Sequence, residues 1–108
     1  MKLKQPIITG FGEHEKTISE IDIKESDFTA KILLEAEREF LITGGIFEKG
    51  NMEASRAYQG IIAAKIIGCT PGDLEKLSAI EYIKITNIIK GFFDDLDYQE
   101  LKEILSGK

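Results

Sequence analysis

The only histidine of the chain, His14, stands between two carboxylates in Glu13-His14-Glu15, the one place where an imidazole could join acidic side chains around a metal. A hydrolytic metal site needs three or four ligands converging from fixed elements. Three adjacent side chains in a turn-rich stretch cannot all point inward, so a solvated turn is the expected reading. Gly10-Phe11-Gly12 opens like a phosphate loop but lacks the third glycine and the helix directly behind it. Gly44-Gly45 lacks the Lys-Ser/Thr of a P-loop and reads as a helix stop. Asp94-Asp95-Leu96-Asp97 is too short for a calcium loop closed by a twelfth-position glutamate, and Asp97 is better used as a helix cap. Cys69 has no histidine beside it and is expected to be a packed or unreactive thiol. No catalytic set emerges, no metal or other cofactor is implied, and the expectation is a protein that is not an enzyme.

What the residue types favour is contact with another protein. Phe92, Phe93, Leu96, Tyr98, Leu101, Ile104 and Leu105 form an apolar surplus near the C-terminal end of the sequence. One reading folds a terminal helix back and buries these side chains. The other leaves part of the stripe, with Phe92, Phe93, Tyr98, Leu101 and Leu105 as candidate contacts, to receive a partner helix.

The elements that would carry this stripe follow from periodicity. Pro6-Ile7-Ile8-Thr9 and Thr17-Ile18-Ser19-Glu20-Ile21-Asp22-Ile23 are β-branched runs around a turn-rich connector, which predicts a β-hairpin. Ile18 is out of phase with Ile21 and Ile23, so a bulge or twist is expected. From Ser26, read as an N-cap, the period becomes helical through Phe28, Ile32, Leu33, Ala36, Phe40 and Leu41 and stops at Gly44-Gly45. Ile46–Asn51 is expected to be a loop, and Glu53–Ile67 a second helix with Gly68 as its cap. Thr70-Pro71-Gly72-Asp73 is a further start signal, and Ser78-Ala79-Ile80-Glu81 a capping box. These predict a single turn around Asp73–Leu77, a longer helix at Ala79–Phe93 and a short terminal helix at Tyr98–Leu105. The longer helix is apolar on more than one side, as a central or partner-facing helix would be. The expected fold is α+β, mainly α: a hairpin over residues 1–24, then four to five helices over 26–105, in one domain of 108 residues.

Bulk properties narrow the partners. With 43% hydrophobic and 31% charged residues, the chain has the make-up of a folded domain. Its 14 basic residues are interleaved with 19 acidic ones for a net charge of −5, which disfavours nucleic acid and anionic membranes. The single cysteine excludes an internal disulfide and suits a reducing cytoplasm. Neither a signal-peptide core nor an apolar run near the ~20 residues of a membrane span is visible, so a soluble, non-exported protein is expected.

The order of these segments resembles a known family. Pro6-Ile7-Ile8, Lys16-Thr17-Ile18-Ser19-Glu20-Ile21-Asp22-Ile23, Ser26-Asp27-Phe28 and then the stretch from Ala63-Ala64-Lys65-Ile66-Ile67-Gly68 through Thr70-Pro71-Gly72-Asp73-Leu74 to Ala79-Ile80-Glu81-Tyr82, closing on Phe92-Phe93, are similar to the small tail assembly chaperones of tailed bacteriophages. The likeness is to the Mu-like group whose members are called protein E, 41 or 14. Two positions depart from that pattern: Glu81 stands where Asp is expected, and no Pro-Thr pair starts the helix after the second strand. The resemblance implies a factor that binds the tape measure protein and keeps it soluble until tail tube protein polymerises around it and displaces the chaperone. It also implies residence in the cytoplasm of the host bacterium, absence from the mature virion, no catalytic residues and a possible homo-oligomer. The alternative is an acidic secretion-type chaperone or adaptor protein of the host.

Overall fold

The computed structural model describes residues 1–44 and 55–105, with side chains given for 1–44 and 55–94. The fold is mainly helical α+β, with an N-terminal antiparallel hairpin followed by four helices. Strand β1 spans Lys2–Thr9 and β2 spans Lys16–Glu20. The reversal between them depends on Gly10: its φ is +89°, and a Cβ there would collide with the His14 carbonyl oxygen.

The hairpin differs from expectation at both ends. β1 begins at Lys2, ahead of Pro6, and β2 ends at Glu20, so Ile21–Ile23 lies beyond the ladder. The Ile21 N–H donates to the Met1 carbonyl at 2.8 Å, and the Met1 ammonium donates to the Ile21 carbonyl at 2.8 Å, closing the sheet there. The irregularity foreseen at Ile18 lies on the other strand. Ile7 pairs with Ile18 and Lys2 with Glu20, so Leu3–Pro6 bulges opposite Ser19 alone.

Helix α1 spans Ala30–Ile42. Thr29 and not Ser26 caps it, accepting from the Ile32 N–H at 3.3 Å. Asp27 instead accepts the Lys24 N–H at 3.0 Å, which draws Glu25–Asp27 into a separate 3-10 turn. Helix α2 spans Arg56–Ile67, with Ser55 as cap and Gly68 at φ +89° as its stop. The predicted loop Ile46–Asn51 and the predicted first residues of this helix, Glu53 and Ala54, lie outside the described residues. Helix α3, Pro71–Leu74, begins two residues before the expected turn because Thr70 and Asp73 form a reciprocal box at 3.0 and 3.1 Å.

Helix α4 is the largest correction. It runs unbroken from Ala79 to Leu105, so the two predicted helices are one and Asp97 lies within it, not at a cap. Asp94-Asp95-Leu96-Asp97 contains neither glycine nor proline, and aspartate lowers helix propensity by well under ~1 kcal/mol per residue. A start signal does not interrupt a helix that can propagate through it. At 27 residues α4 is about 40 Å long by the rise of 1.5 Å per residue, and the molecule measures 55 × 30 × 25 Å.

The core is a single cluster drawn from the hairpin and all four helices. Its centre is α2 and not α4, since every residue from Tyr58 to Ala64 is buried. Gly60, Ala63 and Ala64 keep that helix slim, and the Tyr82 hydroxyl of α4 sits against Gly60 with no room for a Cβ. α4 contributes Ile85, Thr86, Ile89 and Phe93, spaced for one helical face. A chain of ring contacts threads the layers: Phe40 meets Tyr58 edge-on, Tyr58 stacks on Phe93, and Phe93 meets Phe28 edge-on at 5.1 Å. Lys65 and Glu39, 2.8 Å apart, join α2 to α1 at its rim.

Candidate functional site: an apolar trough at the start of α4

The C-terminal stripe divides on inspection. Phe93 is buried in the ring stack, and Phe92 is half-buried with its ring 5.7 Å from that of Phe28. Both therefore build the interior against α2 and the segment before α1. Tyr98, Leu101 and Leu105 lie on the last turns of α4, and their side chains fall outside the described residues.

Open apolar surface is found at the other end of the same helix. Ile80 is 66% exposed and Ile83 42% exposed, both off the buried face that contains Ile85 and Ile89. With Leu74 and Leu77 from the α3 region, Ala79 and Tyr82, Ile83 lines a trough of about 450 Å³, bounded by Arg56 and Glu75. A second hollow of about 410 Å³ lies on the far side of Tyr82, lined by Phe40, Ala57, Gly60, Ile61 and Pro71 and sharing Glu75. The Tyr82 ring therefore stands as a divider between two adjoining hollows.

Local chemistry holds this region in place. Ser78 accepts the Glu81 N–H at 3.2 Å, the capping half of the foreseen box, while its hydroxyl, and not its backbone N–H, donates to Glu81 Oε1 at 3.2 Å. The buried Glu81 carboxylate also accepts the Lys4 N–H of β1 at 2.9 Å, tying the first turn of α4 to the hairpin. Arg56 donates to Thr86 at 2.6 Å, which fixes its guanidinium along the trough. Thr86 in turn donates back to the Tyr82 carbonyl at 3.0 Å.

Burial holds the Tyr82 phenol and the Cys69 thiol in their ordinary neutral forms. Burial first, then the Glu75 carboxylate, raises the Tyr82 phenol above its ordinary value, against a smaller opposing effect of Arg56. It stays protonated at neutral pH, a hydrogen-bond donor beside an apolar wall. Cys69 is pushed up to about 11, mainly by burial and then by Asp73, against the nearby Lys16. A thiol so raised is a poor nucleophile at neutral pH. Glu13, His14 and Glu15 are exposed around a 3-10 turn, and among the described residues no group of three or more His, Cys, Asp or Glu could hold a metal ion. Among the described residues, too, no helix is long and apolar enough to cross a membrane.

The trough escaped the sequence reading, although its signal was present. Ile80 and Ile83 made the helix apolar on more than one side, but only the packing tells which side is left over. Compared with family models, with curated proteins and with solved structures, the chain finds no match in any of the three. The fold and the site together describe a mainly helical α+β protein with an open apolar trough at the start of α4.

Proposed function

We propose that the protein is a tail assembly chaperone, not an enzyme, that binds the tape measure protein and keeps it soluble until tail tube protein takes its place. The observation that carries this reading is the open trough at Leu74, Leu77, Ala79, Tyr82 and Ile83, with Ile80 on its flank. Its size and lining suit the apolar face of a helix, whose anchors recur every three or four residues. The segment order that resembles the tail chaperones supplies the identity of that helix. A shallow trough also suits a partner that must later be displaced, because a small contact area gives a complex that exchanges. The net charge of −5 keeps such a complex in solution. On this reading the protein acts in the cytoplasm of the host bacterium and is left out of the mature virion.

The test is coexpression with the tape measure protein of the same phage. Coelution of a soluble complex is expected, and it should be lost in Ile83→Asp. A tape measure protein that stays insoluble with or without this chain overturns the proposal. An export substrate captured through the same trough would instead assign the protein to the secretion-type chaperones.

A further inference from the structure

The two edges of the hairpin are finished differently. Along β1 the outer edge is closed: the Lys4 N–H bonds to Glu81, Pro6 has no N–H to offer, and α3 packs against the strand. Along β2 the described residues offer no corresponding cover. Among the described residues the sheet has two strands, and no further backbone bond reaches Lys16–Glu20. Four of its five residues are exposed and Ile18 is half-buried. In a ladder, alternate N–H and C=O groups of such a strand point away from its partner and are left for a further strand.

The sequence of that edge says which strand fits. Lys16-Thr17-Ile18-Ser19-Glu20 has opposite charges at its ends, hydroxyl residues inside them and isoleucine at the centre. Laid antiparallel on itself about Ile18, it sets Lys16 opposite Glu20 of a second copy, Thr17 opposite Ser19, and Ile18 opposite Ile18. Every cross-strand pair is then complementary, and the Lys16–Glu20 charge pair forms twice by symmetry. Moving the centre to Thr17 or Ser19 loses both ion pairs, and a one-residue slip turns the inward face of one copy outward. We propose that β2 pairs with β2 of a second copy, making a four-stranded antiparallel sheet across a two-fold axis at Ile18.

Two further features agree with a second copy as the occupant. The larger helical contact of the hairpin runs through β1; from β2 the Lys16 side chain reaches Gly68 at the end of α2 and Ile18 rests on the core, while the backbone of β2 forms the outer edge of the sheet. The same register carries the hairpin tip of one copy past the end of the other's β2, to the segment around Ile21–Lys24. At that tip is Phe11, 91% exposed, the most exposed large apolar side chain among the described residues, and in the dimer it meets apolar neighbours at Ile23. An isologous contact of this kind closes on itself and does not extend into fibres.

A charge swap with a register-specific cross-link tests the proposal. Sedimentation of the full chain from micromolar to near-millimolar concentration should show a monomer–dimer equilibrium. Lys16→Glu and Glu20→Lys should each weaken it about tenfold or more, since each turns two attractive pairs into repulsive ones. The double variant should restore it, although the Lys2–Glu20 pair within the hairpin is lost in both Glu20→Lys and the double variant. Independently of charge, mixing Thr17→Cys with Ser19→Cys chains should give a disulfide that Thr17→Cys alone does not, because only directly opposed positions come within bonding range. Both positions are exposed, so these variants keep the fold. A chain that stays monomeric throughout, a dimer indifferent to both reversals, or a cross-link that ignores register overturns the proposal.

Discussion

At the scale of single residues, the structure replaces candidate chemistry with candidate anchoring. Asp73 caps α3 through Thr70, and it also accepts a hydrogen bond from the Thr9 hydroxyl at the end of β1. Those bonds, Thr9 first, hold its carboxyl below the ordinary value of 3.8. A carboxylate with a lowered folded pKa adds stability that is complete above its unfolded value and is lost as pH falls through the folded one. Thermal unfolding midpoints should therefore drop below about pH 4, and Asp73→Asn should flatten that part of the acid limb. Equal pH dependence in the two proteins would remove Asp73 from this role. The half-buried thiol of Cys69, raised to about 11, makes a second residue-level prediction. Iodoacetamide at neutral pH should label the folded chain about tenfold or more slowly than the urea-unfolded one, because the smaller thiolate fraction outweighs the greater nucleophilicity of a more basic thiolate.

At the scale of elements, what proved legible was what short sequence decides. Gly68 stops α2 and Ser78 caps α4 at the residues foreseen, and the Thr70-Pro71 signal starts α3 two residues ahead of the expected turn, because each signal is completed within four residues of itself. The failures all involve competition with something longer. Ser26 loses the α1 cap to Thr29 because Asp27 has already closed its own turn, and Asp97 loses its cap because α4 is already propagating. The bulge in β1 coincides with the bond from the Lys4 N–H to Glu81, 77 residues away, a partner that no local window contains. That bond makes a prediction at the same scale. Glu81→Ala keeps the N–H that Ser78 caps but removes the carboxylate that Ser78 donates to and leaves the Lys4 N–H without its acceptor, which together cost about 2 kcal/mol in urea unfolding. Glu81→Gln keeps an acceptor and should lose less. Hydrogen exchange at the Lys4 amide should quicken in the alanine variant ahead of global unfolding. An unchanged rate there would mean that the carboxylate does not hold the strand.

At the scale of the whole molecule, one helix has two kinds of apolar surface, and they should respond oppositely to the same substitution. Phe93 lies where α2, α4 and the segment before α1 converge, in ring contact with Tyr58 and Phe28. A charge placed there loses that packing and is left buried without a partner, so Phe93→Asp should cost about 4 kcal/mol or more and leave little folded protein. Ile83 is a quarter-turn off the buried face and already open to water along the trough. Ile83→Asp removes no interior contact of that kind, and its unfolding free energy should stay within about 0.5 kcal/mol of the parent. Its effect should appear in the function proposed above, as a folded chain that no longer brings the tape measure protein into the soluble fraction. The contrast separates folding from docking on a single helix. Circular dichroism reads the first and coelution the second. An Ile83→Asp chain that is folded and still holds the partner would move the docking surface away from the trough, to the last turns of α4 that bear Tyr98, Leu101 and Leu105.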